Sequence, residues 1–276
     1  MKSKKIKHLF RVIFSAVTAF LMFFPILTVI MGGFKEKGQI FSDPFGIPRP
    51  PTIETFVEIL GSASSYWVLL FNSIFITGAT ISIVIIFGML AGVGLSRIKV
   101  PGQQLVYNYF LLGLLFPLTV AILPLFLQLR SLGLIGSRFG VILIEAAFNL
   151  PLSIFILTGF FKNIPNELQD ACYIDGGTIF IFFRKILIPL STPVISTVTI
   201  IVFVASWNQF MLPLLVLSDT KLYTIPLGVM QYQGQYASGW NQIMAFITLS
   251  MLPIAIFYFI LQKYVVEGLT SGAIKG

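Results

Sequence analysis

Apolar residues run along this chain in long unbroken blocks, without the strict alternation of a half-buried strand. Windows long enough to cross about 30 Å of hydrocarbon, roughly 20 helical residues each, recur six times: 12–34, 67–95, 105–129, 139–161, 193–217 and 243–261. All are free of charge except the fourth, which holds Glu145. Continuous runs of this kind predict helices and not barrel strands. The expected fold class is therefore an all-α integral membrane protein with six transmembrane helices in one domain spanning 1–276. Pro25, Pro117, Pro124, Pro213 and Pro253 fall in or near these windows and predict kinks.

Polar positions cluster between the windows, most densely in 162–192, where NELQDACYIDGG occupies 166–177. Asn166 is placed to cap a helix, with Gln169 at the capping-box position and Glu167 and Asp170 near the positive end of its dipole. Gly176 and Gly177 end that helix, and Thr178 starts another carrying Arg184 and Lys185 before Ile188 and Pro189. The pattern predicts a short helix, a glycine turn and a second helix at the membrane surface. Ala171 and Cys172, both small, would let the backbone of another protein approach. The segment SDTKLYTIPLGVMQYQGQYASGWN (218–241) reads as a long loop with almost no charge.

Composition agrees with the pattern: 57% of residues are hydrophobic and 10% charged, against about 25% charged in soluble domains. The net charge of +8 then reads as orientation and not as a nucleic-acid footprint. Of the 18 Lys and Arg, twelve lie in the terminal segments and in the loops an even number of spans places with them. These are Lys2, Lys4, Lys5, Lys7, Arg11, Arg97, Lys99, Lys162, Arg184, Lys185, Lys263 and Lys275. The other six are Lys35, Lys37, Arg49, Arg130, Arg138 and Lys221. This bias places both termini in the cytoplasm, although Arg130 and Arg138 share one external turn. The first apolar run is too long for a typical signal-peptide core and no A-x-A-like site follows it, so it is read as an uncleaved span. One cysteine, Cys172, and one histidine, His8, leave no internal disulfide and no zinc or haem site.

The chemistry of an enzyme is missing. Glu145 is the one ionisable residue deep inside a window, which argues against a membrane-embedded hydrolase or transferase. Only Lys2 is followed by Ser or Thr, so no phosphate-cradling Gly-Lys-Ser/Thr loop exists and the chain carries no ATPase of its own. Polar residues within spans normally face protein or water. Arg138, Glu145, Asn149 and Ser153 share a stripe at spacings of seven, four and four, and line either a solute path or partner surface, or a buried hydrogen-bond network. Trp207 and Asn208, with Gln209, interrupt the fifth window just before Pro213. An aromatic face and an amide suit a sugar, and Trp is also an interfacial anchor.

Several segments resemble the permease subunits of binding-protein-dependent ABC importers, in the carbohydrate-uptake branch that includes the smaller maltose-type permease. The signature E-A-A-x-x-x-G with a following hydrophobic-Pro segment is matched by DACYIDGGTIFIFFRKILIPLSTP, with Asp170, Ala171, Cys172 and Gly176 at the motif positions. Asp stands for Glu and Cys for the second Ala, both keeping size and charge class. NSIFITGAT leading to GLSR, FPLTVAILPLF, LRSLGLIGS, WNQFMLPLLVL and VVEGLTSGAIKG extend the likeness over nearly the whole chain.

The resemblance implies the six-helix fold of a type I ABC importer permease in the bacterial cytoplasmic membrane. It implies a second related permease, two ATPase subunits that hold ATP and Mg, an extracytoplasmic solute-binding protein, and a sugar or oligosaccharide as solute, with no cofactor on this chain and no nucleic acid. The loop then acts as the coupling helix on the ATPase through Glu167, Asp170, Ala171, Cys172, Asp175 and Gly176; otherwise it is an ordinary interfacial anchor. Glu145, Asn149, Trp207 and Asn208 are the candidate solute path. Gln233, Gly234, Gln235 and Tyr236 are the candidate binding-protein loop, or a loop pinned at the interface by Tyr232, Tyr236 and Trp240. The tail GLTSGAIKG touches the ATPase pair or is a frayed end. An autonomous ion-coupled transporter or channel is the alternative, disfavoured by the absence of inverted repeats and of several intramembrane charges.

Overall fold

A computed structural model describes residues 2–61, 65–98, 101–235 and 239–273. Every regular element among them is helical: α1 (Lys2–Gly33), α2 (Gln39–Ser42), α3 (Glu54–Gly61), α4 (Tyr66–Arg97), α5 (Gln103–Leu112) with a 3-10 turn over Gly113–Leu115, α6 (Leu118–Ser131) and α7 (Arg138–Lys162). They are followed by α8 (Glu167–Ile174), α9 (Ile179–Phe182) with a π turn over Phe183–Leu187, α10 (Ile188–Leu190), α11 (Thr192–Trp207), α12 (Met211–Val216), a 3-10 turn over Thr220–Leu222, α13 (Ile225–Gln235) and α14 (Trp240–Ala273).

Among the described residues, four helices are long and apolar enough to cross a membrane alone: Lys7–Gly33, Tyr66–Arg97, Arg138–Lys162 and Trp240–Gln262. Two further spans arise only if bent pairs count as one each, so the expected six are reached only on that count. The third window breaks by 100° between Gln103–Leu115 and Leu118–Ser131. Its cause is Pro117, whose missing N–H and extended backbone (ψ 131°), together with the extended Phe116 before it (ψ 109°), stop one helix before the next starts. The fifth window does not run to 217. Its helix ends at Trp207 after 16 residues and is angled by 74° from the Ile179–Leu190 segment before it. Pro213 cannot donate to Gln209 one turn back, and the Gln209 side chain accepts from Phe210 N–H (3.1 Å), so the chain restarts as α12.

The segment expected as a loop over 218–241 contains an 11-residue helix, α13. Pro226, at its second position, is the start signal for it.

The chain packs as two compact units. In the first, Met1–Trp67 with Gly228–Ile254, α1 meets α14 at two glycines: a Cβ on Gly32 would sit 2.0 Å from Met244 Sδ, and one on Gly33 would sit 2.9 Å from Ala245 Cα. Tyr232 stacks on Phe246 at 4.2 Å, and Tyr66 donates to the Leu249 carbonyl (3.1 Å). Lys35, 1% exposed, donates its ammonium to the carbonyls of Asp43 (2.7 Å) and Pro44 (3.0 Å), which closes the segment after α1 upon itself.

In the second unit, Val68–Leu227 with Ala255–Gly276, α4 and α7 pack through a Gly-x-x-x-Gly pair. A Cβ on Gly88 would lie 3.1 Å from Leu157 Cδ1 and one on Gly92 would lie 3.0 Å from Phe161 Cε2. Small residues at this spacing let membrane helices approach closely and gain dispersion contacts where no hydrophobic driving force exists. Val198 and Val202 of α11 complete the core around Leu157 and Phe161.

Candidate functional site

The polar loop folds as a compact unit beside this core. α8 spans Glu167–Ile174 and ends in a two-bond glycine cap: Gly177 N–H donates to the Cys172 carbonyl (2.8 Å) and Gly176 N–H to that of Tyr173 (3.0 Å), with Gly176 in the left-handed region at φ +76°. These bonds satisfy carbonyls that a helix end leaves open. Thr178 then caps α9, accepting from Ile181 N–H at 3.4 Å, as its sequence position predicts.

Three expectations for this loop are corrected. Asn166 stands at the N-cap position but has helical backbone angles and no capping side-chain bond; its Oδ1 accepts from Arg97 instead (2.8 Å). Gln169 donates to the Tyr173 hydroxyl (2.9 Å), so no capping box forms. Cys172, expected on a contact surface, is 7% exposed and packs with Phe182 and Leu187. Glu167, Asp170, Ala171, Asp175 and Gly176 are exposed, as are Arg184 and Lys185. Close approach of another backbone is therefore a property of Ala171 and the glycine turn, while the thiol belongs to the core.

In the sequence Arg97 reads only as a topological charge. In the structure it is the last residue of α4 and its guanidinium spans the α7–α8 junction. Nη1 donates to Asn166 Oδ1, and Nη2 donates to the carbonyls of Ile164 (2.5 Å) and Phe161. The latter two lie at or just past the end of α7, where the helix dipole favours a cation and open carbonyls need donors. Its position in GLSR, closing an apolar run, was the available signal.

The polar stripe of α7 resolves into a buried node. Glu145 is 3% exposed; its Oε2 accepts from Thr80 Oγ1 of α4 (3.3 Å) and from Ser206 Oγ of α11, whose oxygen also lies 3.2 Å from Thr77 Oγ1 and can accept that hydroxyl's proton. Asn149 and Ser153 donate back to the carbonyls of Glu145 and Asn149 (both 2.8 Å). Oε2 of Glu145 is thus engaged by hydroxyls of its own chain, while its Oε1 is buried with no hydrogen-bond partner. Arg138, at the start of α7, lies 5.9 Å from the Phe71 ring centre and takes no part in the node.

Trp207 is 4% exposed and stacked on Phe203 (5.4 Å), whereas Asn208 is exposed with its amide on the Val204 carbonyl (2.8 Å). The candidate path residues are therefore not gathered on one surface. Gln233 is exposed, the backbone of Gly234 and Gln235 lies within α13, and Tyr236 falls outside the described residues. Tyr232 is buried and Trp240 exposed. No group of three or more His, Cys, Asp or Glu able to hold a metal ion occurs among the described residues.

Comparison with known proteins places this geometry. A probable ABC transporter permease protein of Bacillus subtilis is 34% identical over 254 residues, covering 92% of this chain and 84% of that protein. The trehalose/maltose transport system permease protein of Thermococcus litoralis is 31% identical over 279 residues, covering all of both chains. Among solved structures, a bacterial ABC transporter involved in the import of the acidic polysaccharide alginate contains a chain matching this fold with a TM-score of 0.82 at 22% identity, over 96% of this chain and 98% of that one. Residues 84–271, which contain α7, Glu145 and Ser206 of the buried node and the α8 loop, match the model of a transport family. The chain belongs to the binding-protein-dependent transport system inner membrane component family, whose members similar to it are ABC transporter permeases.

Proposed function

We propose that this chain is the membrane-spanning permease of an ATP-driven importer for a sugar or oligosaccharide, and that α8 is the element through which partner ATPases act on it. The observation that carries the reading is an acidic, exposed helix, closed by glycines at one end and tied by Arg97 to the ends of α4 and α7 at the other. Eight residues without an internal break transmit a rigid-body rotation without bending, which is what alternating access needs from an external motor. ATP and Mg reside on two ATPase subunits; a second related permease and an extracytoplasmic binding protein complete the assembly. Both termini and α8 face the cytoplasm, in keeping with the Lys and Arg bias.

A sugar as solute follows from the archaeal relative, named for trehalose and maltose. Asn208 is the exposed member of the candidate path, and Gln233 to Gln235 the candidate contact with the binding protein. An autonomous ion-coupled transporter fits less well, because Glu145 is the one acid within the apolar windows and such a transporter relies on several intramembrane charges.

The test is affinity purification from the native membrane, comparing the unmodified chain with Asp170→Lys and Gly176→Pro. Recovery of an ATPase and a second permease with the unmodified chain, and loss of the ATPase or of ATP-driven uptake of radiolabelled maltose or trehalose with the variants, is expected. Recovery of the chain alone, with transport unchanged by either variant, refutes the reading.

A further inference from the structure

We propose that Arg97 is a positioning residue for coupling: it joins α8 to the ends of α4 and α7, so that a displacement of α8 is delivered to both long helices at once. This rests on the reading of α8 as the ATPase contact.

The argument is geometric. α8 follows α7 through only four residues, Asn163 to Asn166, and a linker of that length can swivel unless it is held. Arg97 holds it at two places, the Ile164 carbonyl (2.5 Å) and the Asn166 amide oxygen (2.8 Å), and a third bond reaches the Phe161 carbonyl inside α7. The donor comes from the terminal residue of α4, so one planar guanidinium bridges three helices. Its Nε is left buried without a partner, so the anchorage rests on the two terminal nitrogens.

Just behind it, Gly92 lets Phe161 lie against α4, and Leu157 reaches Gly88 one turn further on. Lever and joint are therefore contiguous: the glycine seam locks α4 to α7 along their length, and Arg97 locks α8 to the end of both. Lysine cannot substitute, because a compact ammonium lacks the planar fork that reaches acceptors on both sides.

The readout is independent of the solute. Cys172 is the sole cysteine of this chain, so Cys172→Ser removes its thiol, and the same complex without Ile74→Cys supplies the partner-cysteine signal that is subtracted. A nitroxide on Ile74→Cys, an exposed site on α4, reports motion of that helix by electron paramagnetic resonance in the complex purified from its own membrane, without nucleotide and trapped with ATP and vanadate. With Arg97 present, trapping shifts the label population. With Arg97→Gln, ATPase subunits still co-purify and hydrolyse ATP, but the shifted fraction falls about ten-fold, within the usual range of inter-site coupling. Arg97→Lys behaves like Arg97→Gln, and Asn166→Ala, which removes one acceptor, gives an intermediate loss.

An undiminished shift in Arg97→Gln overturns the proposal. So does loss of the ATPase from Arg97→Gln complexes that unmodified chains retain, since Arg97 would then support docking and not transmission. Absence of any shift with Arg97 present refutes the coupling reading of α8 itself.

Discussion

The glycine turn after α8 makes a quantitative prediction. A methyl group added by Gly177→Ala would lie 2.4 Å from Cys172 Sγ and 2.7 Å from the Cys172 carbonyl oxygen. The thiol can rotate away, but the carbonyl is the acceptor of the Gly177 N–H bond (2.8 Å) and cannot move without opening the cap. Overpacking of this kind combined with one lost backbone bond costs about 2–3 kcal/mol locally. Gly176→Ala meets no atom within 4 Å but must hold φ +76°, at about 1–2 kcal/mol. Because Cys172 is buried under the turn, its reaction with a maleimide measures the open population directly. At 1.4 kcal/mol per factor of ten, labelling of the detergent-purified chain should accelerate roughly 30- to 150-fold in Gly177→Ala and less in Gly176→Ala. Equal rates in the unmodified chain and Gly177→Ala, or a larger effect at 176 than at 177, would refute the account of the cap.

Other perturbations have equally definite outcomes. Gly92→Leu should separate α4 from α7 and lower the thermal midpoint in detergent, because its first carbon already meets Phe161 at 3.0 Å; Gly94→Ala, with no neighbour within 4 Å, should leave it unchanged. In a double-mutant cycle, Glu145→Gln and Ser206→Ala should couple by about 0.5–3 kcal/mol of unfolding free energy, as contacting members of one network do; additive effects would refute the node. Lys35→Met strands the Asp43 and Pro44 carbonyls and should speed limited proteolysis within 36–53, with cleavage elsewhere unaltered.

What the sequence disclosed depended on how local the cause was. The long helices around 12–34, 67–95, 139–161 and 243–261 follow from apolar length alone, and the cap at Thr178 and the glycine end of α8 follow from residue types that act on their own backbone. Pro117 was legible as a kink, but a 100° break needed the extended Phe116 before it. α13 was read as a loop because its Gly and Gln suggest one, although Pro226 at its start and its length argue otherwise. Asn166 and Cys172 depart from expectation, and Glu145 stands between two readings in the sequence, for a common reason. Each is decided by a partner far along the chain, namely Arg97, Phe182 and the hydroxyls of Thr80 and Ser206, and no local pattern announces such partners.

The 100° break also has a solvation consequence. The helical pieces on either side have 13 and 14 residues, about 20 Å each, so neither crosses the hydrocarbon by itself. Between them the last carbonyls of one and the first N–H groups of the other point away from any helical ladder. Leu115, Phe116 and Pro117 are exposed on the surface of this chain. Oil cannot satisfy open backbone groups, and irregular backbone persists at membrane depth only against protein or water. The peptide bonds around Phe116 and Pro117 thus need a wet crevice or a neighbouring subunit beside them, and a solitary copy wrapped entirely in lipid tails is the one environment their dipoles disfavour.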